Sequence, residues 1–148
     1  MAQGEMAAQG GGATNWRSDW VLVSQDLIDQ FADLTEDWNA IHVDADAARA
    51  AGLAGPVAHG FLLLSLLAPM FYDCGHPLAV GDGGLNYGFD SLRFVAPVVA
   101  GTRVRALFAE VGREARASGE RASFDVTLER EGEDRPALVG RWIMMRPG

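Results

Sequence analysis

The stretch Phe61–Tyr72 most constrains this chain. Its 12 residues, Phe-Leu-Leu-Leu-Ser-Leu-Leu-Ala-Pro-Met-Phe-Tyr, carry no charge and show no polar face. A run this short, interrupted by Pro69, does not cross a bilayer and reads as a buried helix. With its approach it is expected to form one central helix over Val57–Tyr72. A helix apolar all round must be covered on several sides, which a curled sheet does. The strands for that sheet come afterwards. Leu85–Val95, Arg103–Val111, Ala122–Glu131 and Ala137–Met145 are β-branched, aromatic or alternating, with turns at Pro97–Gly101 and Glu131–Pro136.

The rest of the chain fits one α+β domain. Trp16–Val23 is expected as a first strand. Ser24 is a helix N-cap, followed by Leu27, Ile28, Phe31 and Leu34 at helical spacing. That helix ends near Thr35. Glu36–Asp46 is polar and expected to be irregular, Ala47–Ala51 to be a short helix, and Cys74–Gly84 to be loop. Residues 1–15 are rich in Gly, Ala and Gln and are expected as a disordered tail, leaving 16–148 as a single domain.

Charge and motifs exclude several functions. Twenty acidic residues against 12 basic ones, all arginine, give a net charge of −8, which disfavours nucleic acid as a partner. The one cysteine, Cys74, excludes an intrachain disulfide and fits a reducing, cytoplasmic setting. Met1–Thr14 lacks the basic start and apolar stretch of an export signal. No phosphate-binding or dinucleotide-binding glycine motif occurs, so no cofactor is expected. Without HExxH or CxxC spacing, no metal is expected either.

Two elements carry chemistry. In Asp37-Trp38-Asn39-Ala40-Ile41-His42, an acid, an amide and an imidazole fall at offsets of zero, two and five. On a continuous helix Asp37 and His42 would be turned apart by roughly 140°, so they converge only if the segment turns. Asn39 suits such a turn, and turn chemistry alone would also explain it. Converging, the three hold and activate a water. The second element, Gly55-Pro56-Val57-Ala58-His59-Gly60, enters the central helix, where free N–H groups gather. Gly60 lets a carbonyl approach its N–H, as an oxyanion site requires, or lets the helix pack closely. His59 is read as a structural residue, its ring bonded to backbone to fix the turn.

Phe31–Leu67 resembles the signature of MaoC-like, (R)-specific enoyl-CoA hydratases: D-x-N-x-x-H at Asp37, Asn39 and His42, then Val43-Asp44, then P-V-x-H-G at Pro56, Val57, His59 and Gly60. Arg93-Phe94-Val95-Ala96-Pro97-Val98-Val99-Ala100-Gly101 resembles the family's R-F-x-x-P-V-x-x-G strand and turn. The resemblance covers about Ser18 to Met145. It implies a hot-dog fold, an antiparallel sheet wrapped around a long helix, and a homodimer with joined sheets. It implies reversible hydration of trans-2-enoyl-CoA to the (R)-3-hydroxyacyl-CoA, an acyl-CoA partner and no cofactor. Asp37 and His42 would activate the water, Asn39 would help to position it, and the Gly60 N–H would polarise the thioester carbonyl. Two departures stand out: Ala40 where the family usually has Pro, and Ala68 where a supporting Ser often stands. A hot-dog thioesterase and a non-catalytic acyl-binding subunit are the competing readings. Arg93, Arg103 and Arg105 are either a solvated face or contacts for coenzyme A phosphates. Cys74 has no constellation that would make it a nucleophile.

Overall fold

The structure, a computed structural model, describes residues 15–79 and 84–148. The tail expected over 1–15 therefore lies outside the described residues, except for Asn15, which opens the first strand. The elements are β1 (Asn15–Arg17), β2 (Val21–Val23), α1 (Gln25–Thr35), α2 (Ala40–Val43), α3 (Ala45–Ala50), α4 (Gly60–Asp73), β3 (Leu85–Phe94), β4 (Thr102–Arg116), β5 (Gly119–Arg130) and β6 (Leu138–Pro147). Pro77–Ala79 adds a single 3-10 turn.

All strand pairs are antiparallel, in the order β1-β4-β5-β6-β3, with β2 also on β4. Strand β4 carries Val104, Ala106 and Phe108 inward and β5 carries Ala122, Phe124, Val126 and Leu128 inward, at the two-residue period of a sheet with one buried face. Register shifts at Glu110/Gly112 in β4 and at two points in β3 bend the sheet. Leu62, Leu63, Leu67, Met70 and Phe71 of α4 pack in one core with these strands. Phe71 sits at its centre, with Phe108, Phe124 and Trp142 edge-on at 5.2, 5.2 and 5.4 Å between centroids. A curled antiparallel sheet around one long helix is thus the α+β architecture expected.

Three expectations need correction. The strand expected over Trp16–Val23 is two strands. Between them the Ser18 hydroxyl takes the place of a ladder acceptor, receiving the Ala106 N–H at 2.9 Å, while the Ser18 N–H donates to the Ala106 carbonyl. The expected irregular stretch Glu36–Asp46 contains α2 and the start of α3. Each is nucleated by its own side-chain cap, Asn39 for Ile41 N–H and Asp44 for the N–H groups of Asp46 and Ala47. The four residues of α2 are too few to show a periodic signal, whereas α3 is the short helix expected over Ala47–Ala51, begun two residues earlier. The central helix begins at Gly60 and not at Val57, because Val57 and Ala58 are extended and tied elsewhere. As expected of a helix covered on several sides, one side stays open, with Phe61, Ser65, Pro69 and Tyr72 forming an exposed stripe. The first helix is as expected, with the Ser24 hydroxyl accepting from Leu27 N–H and the chain turning left-handed at Glu36 after Thr35. No helix among the described residues is long and apolar enough to cross a membrane.

A buried hydrogen bond from His76 to Glu110 makes stability pH-dependent. His76 is 1% exposed, and its Nδ1 accepts the Leu78 N–H at 3.0 Å, so the proton sits on Nε2, facing Glu110 at 3.1 Å. Burial lowers the His76 pKa from its ordinary 6.5, outweighing the attraction of Glu110. Hydrogen bonds from Arg113 hold the Glu110 carboxyl below its ordinary 4.5. The unfolded chain therefore takes up a proton at position 76 before the folded chain does. Stability is full above about pH 6.5 and falls as pH drops below it, and Glu110 adds a further loss below about 4.5. His76→Gln should flatten the slope between pH 7 and 5 in urea titrations while costing about 1–3 kcal/mol at pH 7.

Candidate active site

The site assembles where three segments meet. Pro56–Ala58 runs extended between two neighbours: Val57 N–H donates to the Ile41 carbonyl at 3.0 Å, Ala58 N–H to the Val98 carbonyl at 2.8 Å, and Ala100 N–H to the Pro56 carbonyl at 2.9 Å. This clamps the start of α4 between α2 and the turn after β3. The Gln25 amide, at the head of α1, donates to the His42 carbonyl at 2.8 Å and ties α1 to the same point. Nothing in the sequence pattern singled out Gln25.

His42 is buried, and its Nδ1 lies 2.6 Å from the Val57 carbonyl. A carbonyl only accepts, so Nδ1 carries the proton and Nε2 keeps its lone pair. Asp37 is exposed and sits in the turn before α2. That turn, closed by the Asn39 cap, brings back together the two side chains that a continuous helix would separate. One ligating atom from each of Asp37, His42 and His59 falls within 4.8 Å of the others. The convergence expected of Asp37 and His42 is therefore present, although His42 itself stands on a one-turn helix.

The other two expected residues arrive with different emphasis. The Asn39 side-chain oxygen accepts the Ile41 N–H at 3.3 Å, so it performs the turn chemistry that alone explains an Asn, leaving its amide N–H₂ for other partners. Gly60 opens α4. The residue before it, His59, gives the first turn no side-chain cap, so the amide end of the helix is not neutralised from within. A methyl group on Gly60 would lie 2.9–3.1 Å from the Phe94 ring, so close packing also demands glycine here. Beside Gly60 runs an open apolar groove of about 310 Å³, lined by Ala58, Leu63, Phe94 and Val95–Val98.

The residue underrated by the sequence is His59. It was expected to fix a turn by bonding to backbone, and its Nε2 does lie 2.9 Å from the Asp37 carbonyl. It also stacks on His42, with centroids 3.8 Å apart and planes at 26°. His42 Nδ1 and His59 Nε2 face carbonyls, so His42 Nε2, His59 Nδ1 and the Asp37 carboxylate are the atoms left to meet a ligand.

Arg103 and Arg105 are engaged on the sheet by Glu131 and Glu129, and Arg105 also lies 4.3 Å from the Trp20 ring. That is the solvated-face alternative. The Cys74 thiol donates to the Phe71 carbonyl, and burial pushes its pKa up, opposite to a nucleophile's need.

A curled antiparallel sheet around one long helix that enters at an amide-rich end is the architecture of the hot-dog folds. Residues 10–132 match the family model described as MaoC like domain, and the chain belongs to that family. It is 43% identical over 129 residues to nodulation protein N of Rhizobium leguminosarum bv. viciae, covering 86% of this chain and 80% of that protein. It is 40% identical over 133 residues to the 3-hydroxyacyl-thioester dehydratase Z of Mycobacterium tuberculosis, covering 86% and 85%. Among solved structures, the (R)-hydratase of A. caviae involved in PHA biosynthesis superposes with a TM-score of 0.75 at 26% identity, covering 95% of this chain and all of that one. The hot-dog fold is thereby established.

Gly60→Ala should lower stability by about 1–3 kcal/mol, because the added methyl meets a ring already in contact. Gly60→Ala combined with Phe94→Leu should recover most of that loss, which chemical denaturation of the single and double variants would measure.

Proposed function

We propose that this protein hydrates trans-2-enoyl-CoA thioesters to (R)-3-hydroxyacyl-CoA and catalyses the reverse dehydration. The observation carrying this reading is the convergence of Asp37 and His42 beside the uncapped start of α4 at Gly60. The family membership and the likeness to an (R)-hydratase and a hydroxyacyl-thioester dehydratase support it.

The reaction needs two things. Water must lose a proton as its oxygen bonds to C3, and the negative charge delocalised onto the thioester oxygen must be held until C2 takes a proton. Asp37 and His42 flank the water, and His42 offers a bare Nε2 because its Nδ1–H is spent on the Val57 carbonyl. Between them they accept the water proton and deliver one to C2, so the reaction is redox-neutral and loses nothing but water in reverse. The Asn39 amide helps to place the water. The Gly60 N–H and the positive end of α4 stabilise the enolate oxygen. The acyl chain follows the apolar groove past Leu63 and Phe94.

The active form is a homodimer built on β3. That strand is one edge of the sheet, ten residues long, with Leu85, Tyr87, Leu92 and Phe94 exposed. A second copy pairing antiparallel along it joins two sheets and covers these side chains. Leu92→Arg should shift the chain towards monomer in sedimentation velocity.

Absorbance of the enoyl-thioester band with crotonyl-CoA tests the reaction. Wild type should consume the band, and Asp37→Asn and His42→Ala, folded by circular dichroism, should each lose about 10²–10⁴-fold in kcat. Release of free thiol from saturated acyl-CoA, with no loss of the enoyl band on any chain length, would replace the hydratase by a thioesterase.

A further inference from the structure

Two buried side-chain nitrogens among the described residues have no hydrogen-bond partner: Trp16 Nε1 and His59 Nδ1. The second has the greater consequence. His59 is 2% exposed, and its other nitrogen faces the Asp37 carbonyl. Because a carbonyl accepts, Nε2 holds the proton and Nδ1 is a bare acceptor in the interior. Buried polar atoms are nearly always partnered, and one left bare calls for a reason. Packing does not supply it: Phe31 lies against the ring at 5.0 Å, and an apolar side chain there would carry no bare nitrogen.

The contacts of the ring do supply it. Its Nε2–H holds the backbone of Asp37. Its flat face holds the His42 ring, whose rotation is fixed in turn by the Val57 carbonyl. Its own backbone leads directly into Gly60 and caps α4 by position only. One side chain thus sets acid, imidazole and helix amide in a common frame.

We propose that His59 is a positioning residue for the hydration reaction, aligning Asp37 and His42 relative to the Gly60 N–H without touching water or acyl group itself. The proposal rests on the hydratase reading above. Leu at this position keeps the bulk and removes both the donor and the flat face. Gln keeps a planar amide with an N–H at about the reach of Nε2. Misalignment by about 1 Å costs on the order of 10²-fold in rate, so His59→Leu should lose about 10–10²-fold in kcat on crotonyl-CoA with KM nearly unchanged. His59→Gln should recover at least about ten-fold of that loss.

Nitrogen-15 spectra of the imidazoles report the same alignment without turnover. His42 should show the single Nδ1–H tautomer in wild type and in His59→Gln, and an average of tautomers in His59→Leu. Wild-type kcat in His59→Leu, a KM rise with kcat intact, or His59→Gln no better than His59→Leu would each overturn the proposal. If His59→Leu does not fold, His59→Asn takes its place, since its amide is one methylene too short to reach the Asp37 carbonyl. If wild type hydrates no enoyl-CoA, the hydratase reading fails by itself. The His42 spectra then decide the positioning role, and an unchanged His42 signal in His59→Leu refutes it.

Discussion

A helix with five large apolar residues buried on its inner side has no stable place except against a sheet that bends around it. Placing Phe71 within about 5 Å of rings from β4, β5 and β6 requires those strands to curl, and the register shift in β4 lets them do so. Once α4 lies in that hollow, its N-terminus emerges at a defined point, between α2 and the turn after β3. The extended Pro56–Ala58 segment locks it there with hydrogen bonds on both sides. The site is a consequence of that docking.

The polar groups of the site are held by backbone more than by one another. His42 and His59 each turn one nitrogen to a main-chain carbonyl, and Asn39 spends its oxygen on the cap of α2. Such bonds fix tautomers, and the tautomer decides which nitrogen of a neutral ring is the acceptor.

Most of the sheet was legible in the sequence, because β4 and β5 alternate apolar and polar residues over many positions. The helix from Gln25 was legible through its serine cap and spacing. Of the two short helices, α3 was legible in the alanine run that predicts a helix over Ala47–Ala51, and α2 was not, since a single turn held by one asparagine leaves no periodic trace. The break in the first strand was not legible either, because it depends on a Ser18 hydroxyl reaching Ala106, far along the chain. Likewise Glu131, Glu129 and Trp20, which occupy the arginines at 103 and 105, meet them only across the sheet.

The sequence by itself determined the class of fold and the chemical alphabet of the site: an uncharged helix that demands a curled sheet, and Asp37, Asn39, His42 and Gly60 in two motifs. Tertiary structure alone decided how these residues face one another. It set the His42 tautomer through the Val57 carbonyl, favoured glycine at position 60 through the Phe94 ring, and raised His59 from a turn residue to the ring that joins Asp37 to His42. The physical reason is common to all three. Each depends on a contact between segments distant in the chain, whose geometry exists only after the helix has docked in the sheet.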